Sequence, residues 1–321
     1  MFSPMRIAVF ALSVFSLATC GAAASNVEIL KGKVVYTAPS GDLWTINADG
    51  SHRRRLTHSG KATDYSPSWA PDGRRIVFRT ERGKYVRDPN GSGAQGIFVI
   101  NADGSHELQI QPRTGGLFPA WAPNGKKIAY TGLKPGGDGI FLMNPDGSKK
   151  QDLHTKSVAA EGAVWSPDST KIAYGAHDGD GNWAVWIMNA DGSGQTQLTH
   201  PQLVEPPGTG GDYPTCFSPD GNQILFSAGQ HQSREIYAIG LDGNGRRRLT
   251  NWAGADAPNA WLPDGRIVFG HYNGDAPRPR WYVMNSDGSG ITPIPALNCV
   301  RAADPLSWLP VPRQGGRVSG G

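Results

Sequence analysis

Acidic side chains recur at one position of this chain, four or five residues before an aromatic residue in a short repeated string. The aromatic residues are Trp69, Trp121, Trp165, Phe217, Trp261 and Trp308. The acidic residues are Asp64, Glu161, Asp212, Asp256 and Asp304, and Gly116 stands in the remaining copy. A ring of like charges raises some of their pKa values or recruits a cation or a basic ligand. These five carboxylates are the best candidate binding site. The favoured interpretation of these acids is nevertheless structural, with each carboxylate capping a neighbouring loop or the amides of the next strand.

Other side chains could do chemistry, but their patterns are weaker. The run Asp178-Gly-Asp180-Gly-Asn182 resembles the start of a calcium loop without its twelfth-position Glu, so a glycine-rich loop is the favoured interpretation. His177 and His271 stand at similar places in two repeats and would need a charged partner for catalysis. We predict no catalytic residue, no metal ligand and no cofactor, with a divalent cation such as calcium at the acidic ring as the open alternative.

Two short strings alternate along the chain and define the elements that carry these residues. The first reads WAPDG at 69–73, WAPNG at 121–125, WSPDS at 165–169, FSPDG at 217–221, WLPDG at 261–265 and WLP at 308–310. The second reads NADG at 47–50, 101–104 and 189–192, NPDG at 144–147, LDG at 241–243 and NSDG at 285–288. Successive aromatic positions differ by 52, 44, 52, 44 and 47 residues. This period indicates a radial β repeat rather than a helical solenoid.

Short apolar runs between the strings, such as 74–78 and 96–100, are rich in β-branched and aromatic residues and predict strands. Each repeat holds four strands, which is the content of one propeller blade. The chain begins on the second strand of a blade near Lys33 and ends on a first strand at Trp308. The sequence therefore predicts an all-β, six-bladed β-propeller of four-stranded antiparallel blades over residues 25–312. The C-terminal strand completes the first blade, and the recurring aromatic residues pack between blades.

The Asp-Gly pairs of both strings are interpreted as turn residues, because Pro presets φ and Gly supplies a positive φ. Strand direction alternates, so these short turns share one face of the propeller, the turn face. The variable loops, including 79–95 and 200–211, share the other, the variable-loop face. The first strand of each blade lines the channel and starts on the variable-loop face, which places the five carboxylates at the channel mouth. Variable loops on a rigid scaffold usually carry binding.

Residues 1–24 are predicted to be a signal peptide. Arg6 precedes the apolar run 7–18, which is too short to span a membrane, and Ala22-Ala23-Ala24 fits a cleavage site. The alternative is a lipobox in which Cys20 is acylated, giving an outer-membrane lipoprotein. The mature protein is thus predicted to be periplasmic or secreted, without a transmembrane segment. Residues 313–321 are expected to be a flexible tail.

The remaining cysteines and the basic clusters are given structural interpretations. Cys216 and Cys299 stand more than one repeat apart, so we expect two unpaired thiols rather than a disulfide. The net charge is +4, and the densest basic runs are 53–55 and 246–248, each just before Leu-Thr. We interpret them as charged outer strands that discourage edge pairing rather than as a nucleic-acid surface. We expect a monomer.

The pattern D-x-x-P-x-W-S-P-D-G-x-x-I-A-F followed by I-Y-V-M-N-A-D-G-S resembles the repeat of the TolB-type β-propellers. Residues 64–78 with 96–104, and 161–174 with 184–199, carry this resemblance, which runs from about 33 to 310. TolB itself has an α/β domain before its propeller, and residues 25–33 leave no room for one, so the resemblance covers the propeller alone. It implies the propeller fold and is less specific for function, because this fold serves many proteins.

Two functions stay open. The main hypothesis is a non-catalytic binding or scaffold module that holds a protein, a peptide or a cell-envelope component on the variable-loop face. The alternative is a propeller enzyme, a polysaccharide lyase or hydrolase, with a metal-assisted site at the channel mouth. Its candidate side chains are His177, His271, Arg79 and Arg301. A bound ion, or His and Arg within hydrogen-bond reach of the acidic ring, would favour the enzyme. A hydrolase with an appended α/β domain is excluded, because no Gly-x-Ser-x-Gly motif is present.

Overall fold

The computed structural model describes residues 30–60, 62–82, 96–111, 116–201, 210–230, 233–273, 279–298, 300 and 307–309. These residues form 24 β-strands and one 3-10 helix, Pro295–Leu297. No helix within these ranges is long and apolar enough to cross a membrane. The signal peptide, Cys20, Cys299, Arg301, Asp304 and the tail all lie outside the described residues.

The strands fall into four positions, counted from the channel outward. The innermost strands are β4 (Asp64–Trp69), β8 (Leu117–Trp121), β12 (Ala160–Trp165), β16 (Gly210–Phe217), β20 (Ala255–Trp261) and β24 (Ser307–Leu309). The second strands are β1 (Lys33–Thr37), β5 (Arg75–Thr80), β9 (Ile128–Lys134), β13 (Lys171–His177), β17 (Gln223–Gln230) and β21 (Ile267–Tyr272). The third strands are β2 (Leu43–Asn47), β6 (Gly96–Asn101), β10 (Gly137–Met143), β14 (Trp183–Asn189), β18 (Glu235–Gly240) and β22 (Arg280–Met284). The outermost strands are β3 (Arg54–Arg55), β7 (Leu108–Gln111), β11 (Gln151–Asp152), β15 (Thr196–Gln197), β19 (Arg247–Arg248) and β23 (Thr292–Pro293).

These strands make six antiparallel four-stranded units, the blades of a β-propeller. Blade 1 is β24-β1-β2-β3, and blades 2 to 6 follow in chain order from β4 to β23. Blades 4 and 5 also share one parallel bridge, between Trp183 and Gly211, and so count as a single eight-stranded sheet. The ring closes where β24 pairs antiparallel with β1, with Val34 opposite Trp308. The predicted completion of the first blade by the C-terminal strand is confirmed.

The apolar core is divided among the six junctions between neighbouring blades. Each junction holds one cluster of buried side chains, drawn mainly from the second and third strands of the two blades. The repeated aromatic residues each belong to a different cluster: Trp69, Trp121, Trp165, Phe217, Trp261 and Trp308. The predicted packing of these rings between blades is confirmed, and burial of a large ring at every junction stabilises the closed circle.

The turns of both strings have the predicted chemistry. The glycines of the first string have φ between 66° and 92°, and Ser169 takes the same conformation at 62°. In the second string, Asp49 Oδ1 accepts hydrogen bonds from the backbone N–H and the hydroxyl of Ser51, at 2.9 and 2.6 Å. These bonds lower the pKa of the Asp49 carboxyl. The recurring Asp residues of the turn face are therefore structural.

Candidate functional site

The innermost strands surround a central cavity of about 390 Å³. Bulges shape its wall, because β4, β8 and β12 each shift register against their neighbours and place Ser66, Phe118 and Gly162 at positive φ. The described lining residues are small, apolar or uncharged polar side chains. Asp64, Glu161, Asp212 and Asp256 are not among them.

Asp64 begins β4 and is fully buried at the junction between blades 1 and 2. Arg82 donates to its carboxylate from Nε at 3.0 Å and from Nη2 at 3.2 Å. The hydroxyls of Thr80 and Thr57 also hydrogen-bond to the carboxylate. Burial raises the pKa of Asp64, and these partners oppose that effect. The carboxylate connects its own blade to Thr57 of the preceding one.

Asp212 and Asp256 repeat this arrangement at two other junctions. Asp212 lies 3.3 Å from the guanidinium of Arg246 and hydrogen-bonds to Thr199. Asp256 lies 2.7 Å from Nδ1 of His271 and hydrogen-bonds to Thr250. Both carboxylates are buried, and burial is the main cause that raises each pKa.

The three threonines share one position, directly after the leucine that follows the outermost strand of blades 1, 4 and 5. Each threonine hydroxyl also accepts the backbone N–H at the start of the third strand, at 2.9 to 3.0 Å: Leu43 to Thr57, Val185 to Thr199 and Ile236 to Thr250. The Leu-Thr dipeptide and the following Asp thus form a bond across the blade junction. This pairing could have been found in the sequence, because the dipeptides at 56–57, 198–199 and 249–250 each precede a ring aspartate.

Glu161, at the junction between blades 3 and 4, differs from these three residues. It is half-buried, and no hydrogen bond or ion pair of its carboxylate appears within the described ranges. Burial raises the pKa of Glu161, and the nearby carboxylate of Asp138 raises it further. The structure therefore gives buried partners to three of the five ring residues and leaves Glu161 beside a second carboxylate. The ring as a binding site stays a prediction, and Asp304 lies outside the described residues.

The candidate side chains for catalysis belong to different blades. His177 contacts Trp183 edge to face in blade 4, with ring centroids 4.5 Å apart. Arg79 lies over the ring of Tyr65 in blade 2, 4.5 Å from its centroid. His271, in blade 6, and Arg82, in blade 2, are each within hydrogen-bond reach of a ring carboxylate, which is the arrangement expected of an enzyme. The side chains of the two carboxylates concerned, Asp256 and Asp64, are at most 1% exposed. Arg301 lies outside the described residues.

The run at 178–182 is a turn in the structure. Asp178 Oδ1 accepts hydrogen bonds from the backbone N–H groups of Asp180 and Asn182, at 3.0 and 2.9 Å. This oxygen therefore stabilises the turn. Across the described part of the chain, no group of three or more His, Cys, Asp or Glu side chains is placed to hold a metal ion. Calcium at the channel mouth stays an untested expectation.

Sequence reasoning missed the role of the residue directly before the repeated aromatic. Ser307 and Ser68 accept the backbone N–H of Trp69 and Trp121, each at 3.1 Å. The thiol of Cys216 accepts the backbone N–H of Trp261 in the same way. Cys216 is a free cysteine, and burial raises its pKa to about 12. A small polar residue before the aromatic, present in three of the six copies, was the available signal for these bonds.

The basic triplets also join blades. Arg54 donates to the carbonyl of Asp103 at 2.6 Å, and Arg247 donates to the carbonyl of Ser286 at 3.1 Å. Both carbonyls lie in the turn of the next blade. Arg246 covers the ring of Tyr237, at 4.8 Å from its centroid. These contacts give the arginines structural partners at the outer rim.

Comparison with known proteins agrees with the architecture. No family model matches the chain. An uncharacterized protein of Agrobacterium fabrum (strain C58 / ATCC 33970) is 25% identical over 241 residues, covering 70% of this chain and 74% of that protein. The Tol-Pal system protein TolB of Anaeromyxobacter dehalogenans (strain 2CP-C) is 29% identical over 133 residues, which cover 38% of this chain and 30% of that protein.

Among solved structures, TolB from Acinetobacter baumannii superposes with a TM-score of 0.68 at 16% identity, covering 88% of this chain and 68% of that one. The predicted resemblance is confirmed at the level of the fold. The chain folds as a β-propeller similar to that of TolB.

Proposed function

We propose that the protein is an exported, non-catalytic β-propeller that holds a segment of a partner protein on its variable-loop face. The observation that carries this proposal is the exposure of apolar side chains on that face. Leu133 at the end of β9 is 49% exposed, and Val158 in the loop between blades 3 and 4 is 64% exposed. Exposed apolar side chains next to each other are typical of protein-binding surfaces.

Two further observations support a binding role. Three of the ring carboxylates are buried, and each hydrogen-bonds to a threonine of the preceding blade, which is a structural contact. The similarity to Tol-Pal system proteins also supports a place in an assembly of the cell envelope. The predicted signal peptide supports export.

A capture experiment tests this proposal. The mature chain, immobilised, is incubated with envelope extract as wild type and as the double variant Leu133→Ser, Val158→Ser. The matched control is Leu108→Ser, which removes an equally exposed leucine from the start of β7, next to the turn face. We expect the double variant to lose the captured partner and the control to keep it. Equal capture by all three would contradict the proposed face.

Mass spectrometry of the mature chain tests export and separates its two routes. Cleavage after Ala24 leaves Ser25 as the first residue, whereas the lipoprotein route leaves an acylated Cys20 at the N-terminus. A full-length chain beginning at Met1 in the envelope fraction would contradict both.

One observation favours the enzyme as a second candidate function. His271 and Asp256 form a hydrogen-bonded pair of the kind that orients a general base. A lyase acting on an acidic polysaccharide would release unsaturated ends, which are followed by their ultraviolet absorbance. Activity in the wild type that is lost in His271→Ala, while the variant still folds, would favour this second function.

A further inference from the structure

The junction between blades 3 and 4 lacks the threonine that hydrogen-bonds to the acid of the next blade at three other junctions. His154 takes the position of that threonine, directly after Leu153, and its side chain points out with 86% exposure. Glu161 in the next strand therefore has no hydroxyl from the preceding blade. Blades 2 and 6 also lack the threonine. In blade 2 its counterpart, Gln111, is followed by Gly116 and not by an acid, and in blade 6 Pro295 takes its place, before an acid that lies outside the described residues.

A second carboxylate, Asp138 at the start of β10, lies beside Glu161. No hydrogen bond or ion pair of the Asp138 side chain is found in the described part of the molecule, whereas its backbone N–H donates to the carbonyl of Val158 at 2.9 Å. The neighbouring amine of Lys134 is engaged elsewhere, because Nζ donates to the hydroxyl of Thr155 at 3.0 Å. The two half-buried carboxylates thus lie on contacting strands, β10 and β12, and no cation among the described side chains pairs with either of them.

Apolar side chains flank this pair on the variable-loop face. Val158 is held against Asp138 by the backbone hydrogen bond, and Leu133 stands directly opposite Asp138 in the β9–β10 hairpin. Both are among the most exposed large apolar side chains of the described residues. On the blade 5 side, Tyr213 is near Glu161, and Arg234 is stacked on the tyrosine ring, 4.4 Å from its centroid.

We propose that Leu133, Asp138, Val158 and Glu161 form a docking surface for an extended partner segment in which an arginine is flanked by apolar residues. This proposal deepens the proposed function and rests on it. A guanidinium can bridge two carboxylates with paired hydrogen bonds, which a compact ammonium does less well. The flanking apolar residues of the segment cover Leu133 and Val158. Acidic segments and nucleic acids are repelled by the uncompensated pair.

A peptide titration tests the docking surface directly. The ligand is the fluorescein-labelled octapeptide Gly-Leu-Arg-Leu-Arg-Leu-Gly-Gly, and binding to the mature chain is measured by anisotropy. The matched control peptide carries citrulline, a neutral isostere, at both arginine positions. We expect the double variant Asp138→Asn, Glu161→Gln to bind the arginine peptide about tenfold more weakly than the wild type. We expect Leu133→Ser, Val158→Ser to bind it about three- to fivefold more weakly.

The control protein is Asp180→Asn, which removes one exposed negative charge from the same face, outside the pair. It should bind like the wild type, and the citrulline peptide should show little difference between the wild type and the two charge variants. Binding should weaken as salt is raised, because the charges are only partly buried. Equal affinity of both peptides, or of wild type and the Asn/Gln variant, would overturn the proposal. So would competition by calcium at micromolar concentration, which would assign the pair to a metal instead.

The outcomes separate this inference from the proposed function. Loss of the captured envelope partner in the Leu133, Val158 variant, together with unchanged capture by the Asp138, Glu161 variant, would keep the binding face and remove the cationic ligand. Absence of any captured partner in the wild type would count against the proposed function itself.

Discussion

Two kinds of blade junction use the same acidic position in opposite ways. At the junctions of blades 1 and 2, 4 and 5, and 5 and 6, the acid is buried, bonded to a threonine of the preceding blade and paired with Arg82, Arg246 or His271. At the junction of blades 3 and 4, Glu161 has neither partner among the described residues, and the nearby carboxylate of Asp138 raises its pKa. A repeated residue is therefore structural only where its partners repeat with it. Where the threonine and the cation are missing, the charge of the acid is available to bind a partner.

The largest loss of stability is expected when the acid is removed from a junction at which it has both a threonine and a cation as partners. Asp64→Ala removes a fully buried carboxylate and leaves the Arg82 guanidinium without its main partner. We expect a loss of about 3 kcal/mol in the free energy of unfolding, since removal of one member of a buried pair typically costs that much. Urea denaturation followed by tryptophan fluorescence measures it. Asp180→Ala, at an exposed loop position, should change the midpoint little, and an equal loss there would contradict the comparison.

A smaller loss, dependent on pH, is expected at the junction that uses histidine. His271→Ala removes a hydrogen bond and a charge that lower the pKa of Asp256. The pKa of Asp256 is already raised by burial, and in the variant it rises further. The stability gained by protonating Asp256 is present at low pH and lost as pH rises through this raised pKa. We expect a loss of about 2 kcal/mol at pH 7 that shrinks toward pH 5.

Thermal unfolding of the wild type and of His271→Ala between pH 5 and 8 checks this expectation. The difference in melting temperature should widen as pH rises. A difference that is constant over the range would mean that the ring of His271, which packs against Trp252 at a centroid distance of 5.0 Å, stabilises the junction by packing alone.

The threonines give the next smaller effect. Thr57→Val keeps the shape of the side chain but removes the acceptor for Leu43 N–H and the hydrogen bond to Asp64. We expect a loss of about 1.5 kcal/mol, because two buried polar groups lose a partner. The equivalent residue at the junction of blades 3 and 4 is His154, which is exposed. The free energy of unfolding of His154→Asn should therefore stay within about 0.5 kcal/mol of that of the wild type. Similar losses at both positions would show that the two junctions do not differ as described.

The regular part of this molecule could be predicted from its sequence because local rules determine it. Each Pro-Asp-Gly string demands a tight turn, and each aromatic residue needs a neighbouring blade to bury it. Strand order, ring closure and the packing of Trp69 and its counterparts follow from these rules. Register shifts within β4 and β8 do not, since Ser66 and Phe118 adopt positive φ without a glycine to indicate it.

The candidate site was harder to predict because it depends on partners distant in sequence. The sequence shows five acidic residues at one position of the repeat and suggests that all five have the same role. Whether each acid is neutralised depends on a threonine six to thirteen residues earlier and on a cation in a loop or outer strand, such as Arg82 or Arg246. These cations occupy different places in the repeat, so no fixed spacing identifies them. Glu161 stands out only once the contacts of the other three are known.

The smallest effect is a gain in stability instead of a loss, and it is expected at the junction of blades 3 and 4. Glu161→Gln removes a carboxyl group whose pKa is raised by burial and by the charge of Asp138. At neutral pH the ionised carboxylate therefore destabilises the folded state. We expect the variant to be more stable than the wild type by on the order of 1 kcal/mol at pH 7. Because the raised pKa makes protonation favour the folded state, the wild type should approach the variant as pH falls toward 5.

Urea midpoints of both proteins at pH 5 and pH 7 measure this change, with Asp212→Asn as the matched control that should destabilise. A loss of stability in Glu161→Gln would mean that Glu161 is a structural acid like Asp212. A gain in stability together with weaker binding of the arginine peptide would show that the chain keeps an unfavourable charge where binding requires it. Such an exchange of stability for function is what separates a binding residue from a repeated structural one.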